Sequence, residues 1–137
     1  MNYTQLNEHW NADPNAPEVQ LKLHEDAVIL QFYLNSFIFD FDDAEQGRLI
    51  FKNCHKYSLN SMNDEGYYMG QYRYKCDELP WGEFYRLETN GENDFPKKAV
   101  VLNVNPNKRD LKHYIFFLKD NTFEAVAEDY FFETVKP

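Results

Sequence analysis

The chain is short of the residues that usually announce chemistry or location. It holds two cysteines, Cys54 and Cys76, in 137 residues. A small secreted domain stapled by disulfides usually carries more, and there is no Cys-x-x-Cys pair for a metal or redox site. The four histidines, at positions 9, 24, 55 and 113, are scattered. Five glycines provide no glycine-rich loop to cradle a phosphate. The opening stretch MNYTQLNEHWNADPNAPE lacks the basic and apolar regions of a secretory signal, and no apolar run approaches a membrane span. A cytoplasmic location is the expectation from these absences. Positive charge is scarce as well. Lys and Arg number 14 against 23 Asp and Glu, for a formal charge of −9. Nucleic acid and anionic lipid both call for a surplus of cations, so neither a nucleic-acid ligand nor a membrane is expected.

What the chain has in quantity is aromatic: 12 Phe, 10 Tyr and 2 Trp, with 43% hydrophobic residues overall. That suffices for the core of one domain, 1–137, and such side chains favour strands. Residues 1–18 read as an irregular segment in which Tyr3, Leu6 and Trp10 fit one face of a short helix, before DPNAP at 13–17 interrupts any regular element. From Val19 the period becomes two, with Val19, Leu21 and Leu23 alternating with Gln20, Lys22 and His24. A turn at Glu25-Asp26 leads into AVILQFYL. SFIFDF (36–41), RLIFKNCHKY (48–57), YYMGQYRYKC (67–76), GEFYRLE (82–88) and KAVVLNV (98–104) read as further strands. DDAEQG, NSMNDEG (60–66), TNGENDFP (89–96) and NPNKRD (105–110) connect them. The sum is about eight to ten short strands with little helix, which predicts an antiparallel β-sandwich or barrel.

The last hairpin is the sharpest local expectation. HYIFFLK and TFEAVA flank Asp120-Asn121, a loop composition suited to antiparallel strands. Pairing Leu118 with Phe123, Phe116 with Ala125 and Tyr114 with Ala127 gives one wholly apolar or aromatic face. The other face pairs Lys119 with Thr122, Phe117 with Glu124, Ile115 with Val126 and His113 with Glu128. Ile115, Phe117 and Val126 predict that this second face is also covered, by a helix, the N-terminal segment or another chain. A helix over Thr122–Thr134 is the competing reading, since Phe123, Val126, Ala127 and Tyr130 fit helical spacing.

Chemistry-bearing clusters are few. The acidic run Asp40, Asp42, Asp43 and Glu45 does not match the EF-hand loop and reads as a hydrated connection rather than a cation site. Cys54 and His55 are adjacent, so on a strand they point to opposite faces and form no nucleophile–base pair. Cys54 and Cys76 share a face if strands 48–57 and 67–76 pair with an even register sum; otherwise they are two reduced thiols. Glu83, in PWGEFY beside Trp81 and Tyr85, is the one carboxylate with an aromatic wall to desolvate it. With His55 or His113 it makes a hydrolase-like enzyme reading. On the Tyr-rich strand Tyr68, Tyr72 and Tyr74 fall on one face, and Tyr67, Met69, Gln71, Arg73 and Lys75 on the other. Together with Trp81 and Tyr85 these are residue types that anchor protein interfaces.

The leading expectation is therefore a non-enzymatic binding protein without a cofactor, docking or neutralising a basic protein partner. Tyr72, Arg73, Tyr74, Trp81, Glu83 and Tyr85 would anchor the contact. Asp40, Asp42, Asp43, Glu45, Asp64 and Glu65 would steer the encounter. A small-molecule binder with an aromatic cavity inside the sandwich or barrel is the alternative. The stretches WNADPNAP (10–17), NDEGYYMG (63–70), PWGEFY (80–85) and HYIFFLKDNTFEAVAE (113–128) give the chain a layout that resembles small bacterial β-rich proteins of unassigned function, some of which serve as immunity proteins for contact-delivered toxins. That resemblance implies a non-enzymatic binding role and transfers no functional residue.

Overall fold

The computed structural model describes residues 1–89, 91–104 and 110–137. Asn90 of the TNGENDFP loop and residues 105–109 of the NPNKRD loop lie outside the described residues. The fold is mainly antiparallel β. Its strands are β1 (Tyr3–Gln5), β2 (Gln20–His24), β3 (Ala27–Tyr33), β4 (Gln46–Asn60), β5 (Phe84–Leu87), β6 (Val100–Val101), β7 (Lys112–Phe117) and β8 (Thr122–Val135). A five-residue helix, α1 (Asp64–Tyr68), lies between β4 and β5. The strands form one sheet in the order β1-β5-β7-β8-β4-β3-β2, with β6 paired to β4 beside that path. The sheet is open, with β1 and β2 at its two ends.

The long strands β4 and β8 run side by side from Gln46↔Val135 to Asn60↔Thr122 and form the spine. Inward positions on β4 are Leu49 and Phe51, then Cys54 and Tyr57. On β8 they are Phe123, Ala125 and Ala127, then Tyr130 and Phe132. Strict alternation is therefore broken on both strands at the same level. There Asn53 adopts φ 50° and its amide donates to Glu128 Oε2 at 2.7 Å. The ladder shifts register between Cys54 and Lys56, a bulge of the kind that bends and twists a strand. These breaks curl the sheet so that strands distant in sheet order meet. Phe32 of β3 packs against Phe116 of β7, with ring centroids 5.3 Å apart, and Phe51 of β4 packs against Phe84 of β5 at 6.0 Å.

The concave interior is filled by side chains. Trp10, from the N-terminal arm, stacks on Phe132 at 4.0 Å and also meets Phe32, Phe84 and Phe116. The arm is held by Asn7, whose amide donates to the Trp10 carbonyl and whose Oδ1 accepts from the Phe84 N–H. Extended structure and an isolated bridge, Ala12↔Leu34, replace the short helix expected over residues 1–18.

The second face of β5 and β7 is covered as its sequence requires. Tyr85, Leu87, Ile115 and Phe117 are buried beneath Tyr67, Tyr74 and Leu79, with Tyr72 and Trp81 packed at the margin. The cover is α1 and the turns that follow it. The strand expected over YYMGQYRYKC is thus a correction. Asn63 caps α1 by accepting from the Gly66 N–H at 2.9 Å, Asp64 and Glu65 occupy its first turn, and Gly70 at φ 79° ends it. Tyr68, Tyr72 and Tyr74 consequently share no face: Tyr68 is exposed while Tyr74 is buried.

Three other elements depart from expectation. SFIFDF forms no strand: Asn35 Oδ1 accepts from the Phe37 N–H, turning the chain away before any partner is met. KAVVLNV pairs only through Val100 and Val101. The β7–β8 hairpin exists, and 122–134 is strand rather than helix, but its pairs are Phe116↔Phe123 and Tyr114↔Ala125. Leu118 N–H donates to the Asn121 carbonyl, so the two-residue turn is Lys119-Asp120. This slip moves the register sum by two and leaves both faces as read. Cys54 is buried and Cys76 exposed, both as free thiols, and burial pushes the Cys54 thiol up to about 12.

Candidate functional site

Two places gather the chemistry-bearing residues. The first lies between the sheet and its cover. Glu124 of β8 faces the second side of the sheet, opposite Ile115 on β7 and Ser58 on β4, and is fully buried. Its carboxylate accepts from His113 Nε2 at 2.7 Å, from Arg73 Nη1 at 2.8 Å and Nη2 at 2.5 Å, and from the Tyr72 hydroxyl. Arg73 also donates to Asp94 Oδ1 at 2.6 Å, and the Tyr74 hydroxyl donates to Asp94 Oδ2 at 2.8 Å. Burial works to raise the Glu124 carboxyl, but the hydrogen bonds and charges of His113 and Arg73 outweigh it and hold it below the usual carboxylate range. Asp94 is held low in the same way by Tyr74 and Arg73, again against desolvation. Desolvation, then the adjacent carboxylates, push the Tyr72 and Tyr74 phenols well up, so both stay protonated donors. His113 is also fully buried; its Nδ1 has no partner among the described residues, and Phe95 lies against the ring at 5.3 Å.

Chemically this cluster is a clamp. A carboxylate saturated by four donors and held ionised is a weak base, and the Glu124 side chain is closed to solvent. Its geometry ties the cover (Tyr72, Arg73, Tyr74) to the sheet (Glu124, His113) and to the loop holding Asp94. Tyr72, Arg73 and Tyr74, expected as outward anchors, thus turn inward. Glu124 and Asp94 were not singled out from the sequence. A carboxylate on a hairpin face otherwise made of Ile115, Phe117 and Val126 was the signal available, because a covered carboxylate needs a cation or donors beside it.

The other expected residues divide in a similar way. Glu83 accepts from Asn7 Nδ2 at 2.5 Å and Gln5 Nε2 at 3.2 Å, fastening the arm. Its carbonyl accepts from the Phe117 N–H, which puts it four residues along β7 from His113, roughly 13 Å at strand spacing. His113 is paired with Glu124 instead, and the His55 Nδ1 lies against the Asn103 carbonyl. Tyr85 is buried and donates to the Pro80 carbonyl at 2.7 Å. Glu45 is buried too, accepting from the Asp42 N–H at 3.0 Å and from Lys136 Nζ at 3.2 Å.

The second place is an exposed end of the molecule. The β3–β4 connection presents Phe37 and Ile38 with 72% and 74% of their surface exposed, directly followed by the exposed Asp40, Asp42 and Asp43. Asn35, where this connection begins, and the exposed Asp64 of α1 line one open groove of about 260 Å³. Its other walls include Asp13 of the arm, Trp81 and Phe117. The back of Trp81 is fixed by Phe117 at 4.7 Å and Tyr67 at 5.3 Å. Trp81, Asp64 and the acidic connection are therefore the expected residues that the fold brings to one end. Comparison with family models, curated proteins and solved structures finds no match to the chain.

Proposed function

We propose that the protein binds a basic protein partner without catalysing a reaction, and that the end bearing Phe37, Ile38 and Asp40–Asp43 is the docking surface. The observation that carries this reading is the pair Phe37-Ile38, more exposed than all but one of the large apolar residues described, set beside three exposed carboxylates. Scattered exposed apolar residues are ordinary, but two in succession at a loop tip make an anchor. Carboxylates beside the anchor speed encounter with a cationic surface and orient it. A neutralising, immunity-like role is the form that the sequence resemblance favours. No described helix is long and apolar enough to cross a membrane.

The test is capture from source-cell lysate on the immobilised full chain, beside the variant Phe37→Ser/Ile38→Ser. Both side chains are exposed, so the variant should fold with stability within about 0.5 kcal/mol. The expected result is a stoichiometric basic protein retained by the native chain, weakened by salt and lost with the variant. Equal retention by both chains, or no stoichiometric protein, refutes the reading.

A further inference from the structure

We propose that the groove between the N-terminal arm, the start of the β3–β4 connection and α1 seats one lysine or arginine residue of the basic partner; the proposal rests on the docking reading above and specifies one of its contacts. The groove combines three features that such a residue matches separately. Trp81 supplies an aromatic wall, held in place from behind by Phe117 and Tyr67, along which an aliphatic stem can lie and to which a cation is attracted. Asp13 and Asp64 supply carboxylates. Asp13 spends Oδ1 on the Asn15 and Ala16 amides and Asp64 spends Oδ1 on the Glu65 amide. The second oxygen of each has no partner among the described residues.

The third feature is independent of charge. Asn35 is only 7% exposed, yet it uses only Oδ1, on the Phe37 N–H. Its Nδ2 has no partner among the described residues, and the residue lines the groove. An amide donor left unpaired on a groove wall is free to exchange water for an acceptor from outside, and the carbonyl of a docked peptide is one. Lys119 also lines the groove, but its ammonium is drawn to the Asn15 carbonyl at 2.9 Å. Two carboxylates against this one ammonium leave the groove negative. At about 260 Å³ it lies below the roughly 300–1,000 Å³ typical of small-molecule sites. A single long side chain with its flanking peptide groups suits that size.

The experiment titrates the full chain with N-acetyl-arginine methylamide and, separately, with the uncharged N-acetyl-citrulline methylamide. The readout is the indole N–H resonances. The chain has two tryptophans, and Trp10 in the core serves as the internal reference for Trp81. The expected result is a saturable shift of Trp81 with Trp10 unmoved, and binding about tenfold weaker for the citrulline probe. Asp13→Asn/Asp64→Asn keeps the backbone hydrogen bonds of both residues and should weaken the arginine probe to the same degree. Equal binding of the two probes, undiminished binding by the variant, or no shift of Trp81 overturns the proposal. If the groove fails while capture still depends on Phe37 and Ile38, the docking reading stands and only its lysine or arginine contact falls.

Discussion

Replacing Glu124 with alanine should be among the most damaging single changes available to this fold. The substitution removes the acceptor shared by His113, Arg73 and Tyr72 and leaves the His113 ring, fully buried, with neither nitrogen paired among the described residues. Breaking a buried charged pair from one side costs about 3–5 kcal/mol, chiefly because the remaining partner stays buried without compensation. For a domain of this length 1 kcal/mol corresponds to about 3–4 °C in Tm, so a drop of about 10–20 °C follows. Glu128→Ala, on the same strand, loses only an exposed hydrogen bond from Asn53 and should cost no more than about 1 kcal/mol. Thermal melts read by near-ultraviolet dichroism compare the two. Hydrogen exchange adds a spatial readout, since the Tyr67, Met69 and Gln71 amides, bonded within the cover, should lose protection before those of β3. A Glu124→Ala protein melting within about 3 °C of the native chain would show that the cluster does not hold the cover and would refute the reasoning.

The same cluster sets an acid limit. Glu124 and Asp94 are held below their ordinary values of 4.5 and 3.8 in the folded state, so the unfolded chain takes up protons first as pH falls. Their contribution is complete above the unfolded values and is lost as pH drops from about 4.5 towards the folded ones. Urea midpoints should therefore decline below that pH, and Glu124→Gln should flatten the decline; an unchanged slope counts against it. Gly91→Ala should cost about 2–4 kcal/mol. Its φ of 72° disfavours a side chain, and a Cβ there would collide with Val126 Cγ2. Urea unfolding checks this, and native-like stability would show that the loop over His113 yields freely.

Legibility in the sequence followed the range of the interactions. The β7–β8 hairpin was readable because face assignment depends on the parity of the register, and the observed slip preserved it. The covered second face was readable for the same reason, from Ile115, Phe117 and Val126. The identity of the cover was not. The alternation in YYMGQYRYKC imitates a strand, whereas Asn63, Asp64 and Glu65 start a helix whose five residues are too few to show a period. SFIFDF alternates as well, but alternation makes a strand only where a neighbour supplies the ladder. The clamp joins Arg73 to Asp94, His113 and Glu124 across long stretches of chain, so only the tertiary fold assembles it. The common kink at Asn53 likewise depends on two strands bending together.

The formal charge of −9 is a poor guide to the partner until the acids with internal duties are set aside. Glu124 is spent on Arg73 and His113, Glu133 on Arg48, and Glu45 on Lys136 and its own loop. Asp42 shares Lys136, while Asp40 and Asp43 stand exposed beside Phe37 and Ile38. At physiological salt a charge acts over about 8 Å, so steering is set by the acids near the anchor rather than by the total. Asp129 offers the matching control. It is exposed and pairs with Lys52, six positions along β8 from Val135, which lies opposite Gln46 at the end of the acidic connection. That separation is roughly 20 Å at strand spacing, beyond the screening length. Asp43→Asn and Asp129→Asn remove the same charge, so a slower association in the first but not the second assigns the effect to the loop, and equal slowing would return it to the net charge.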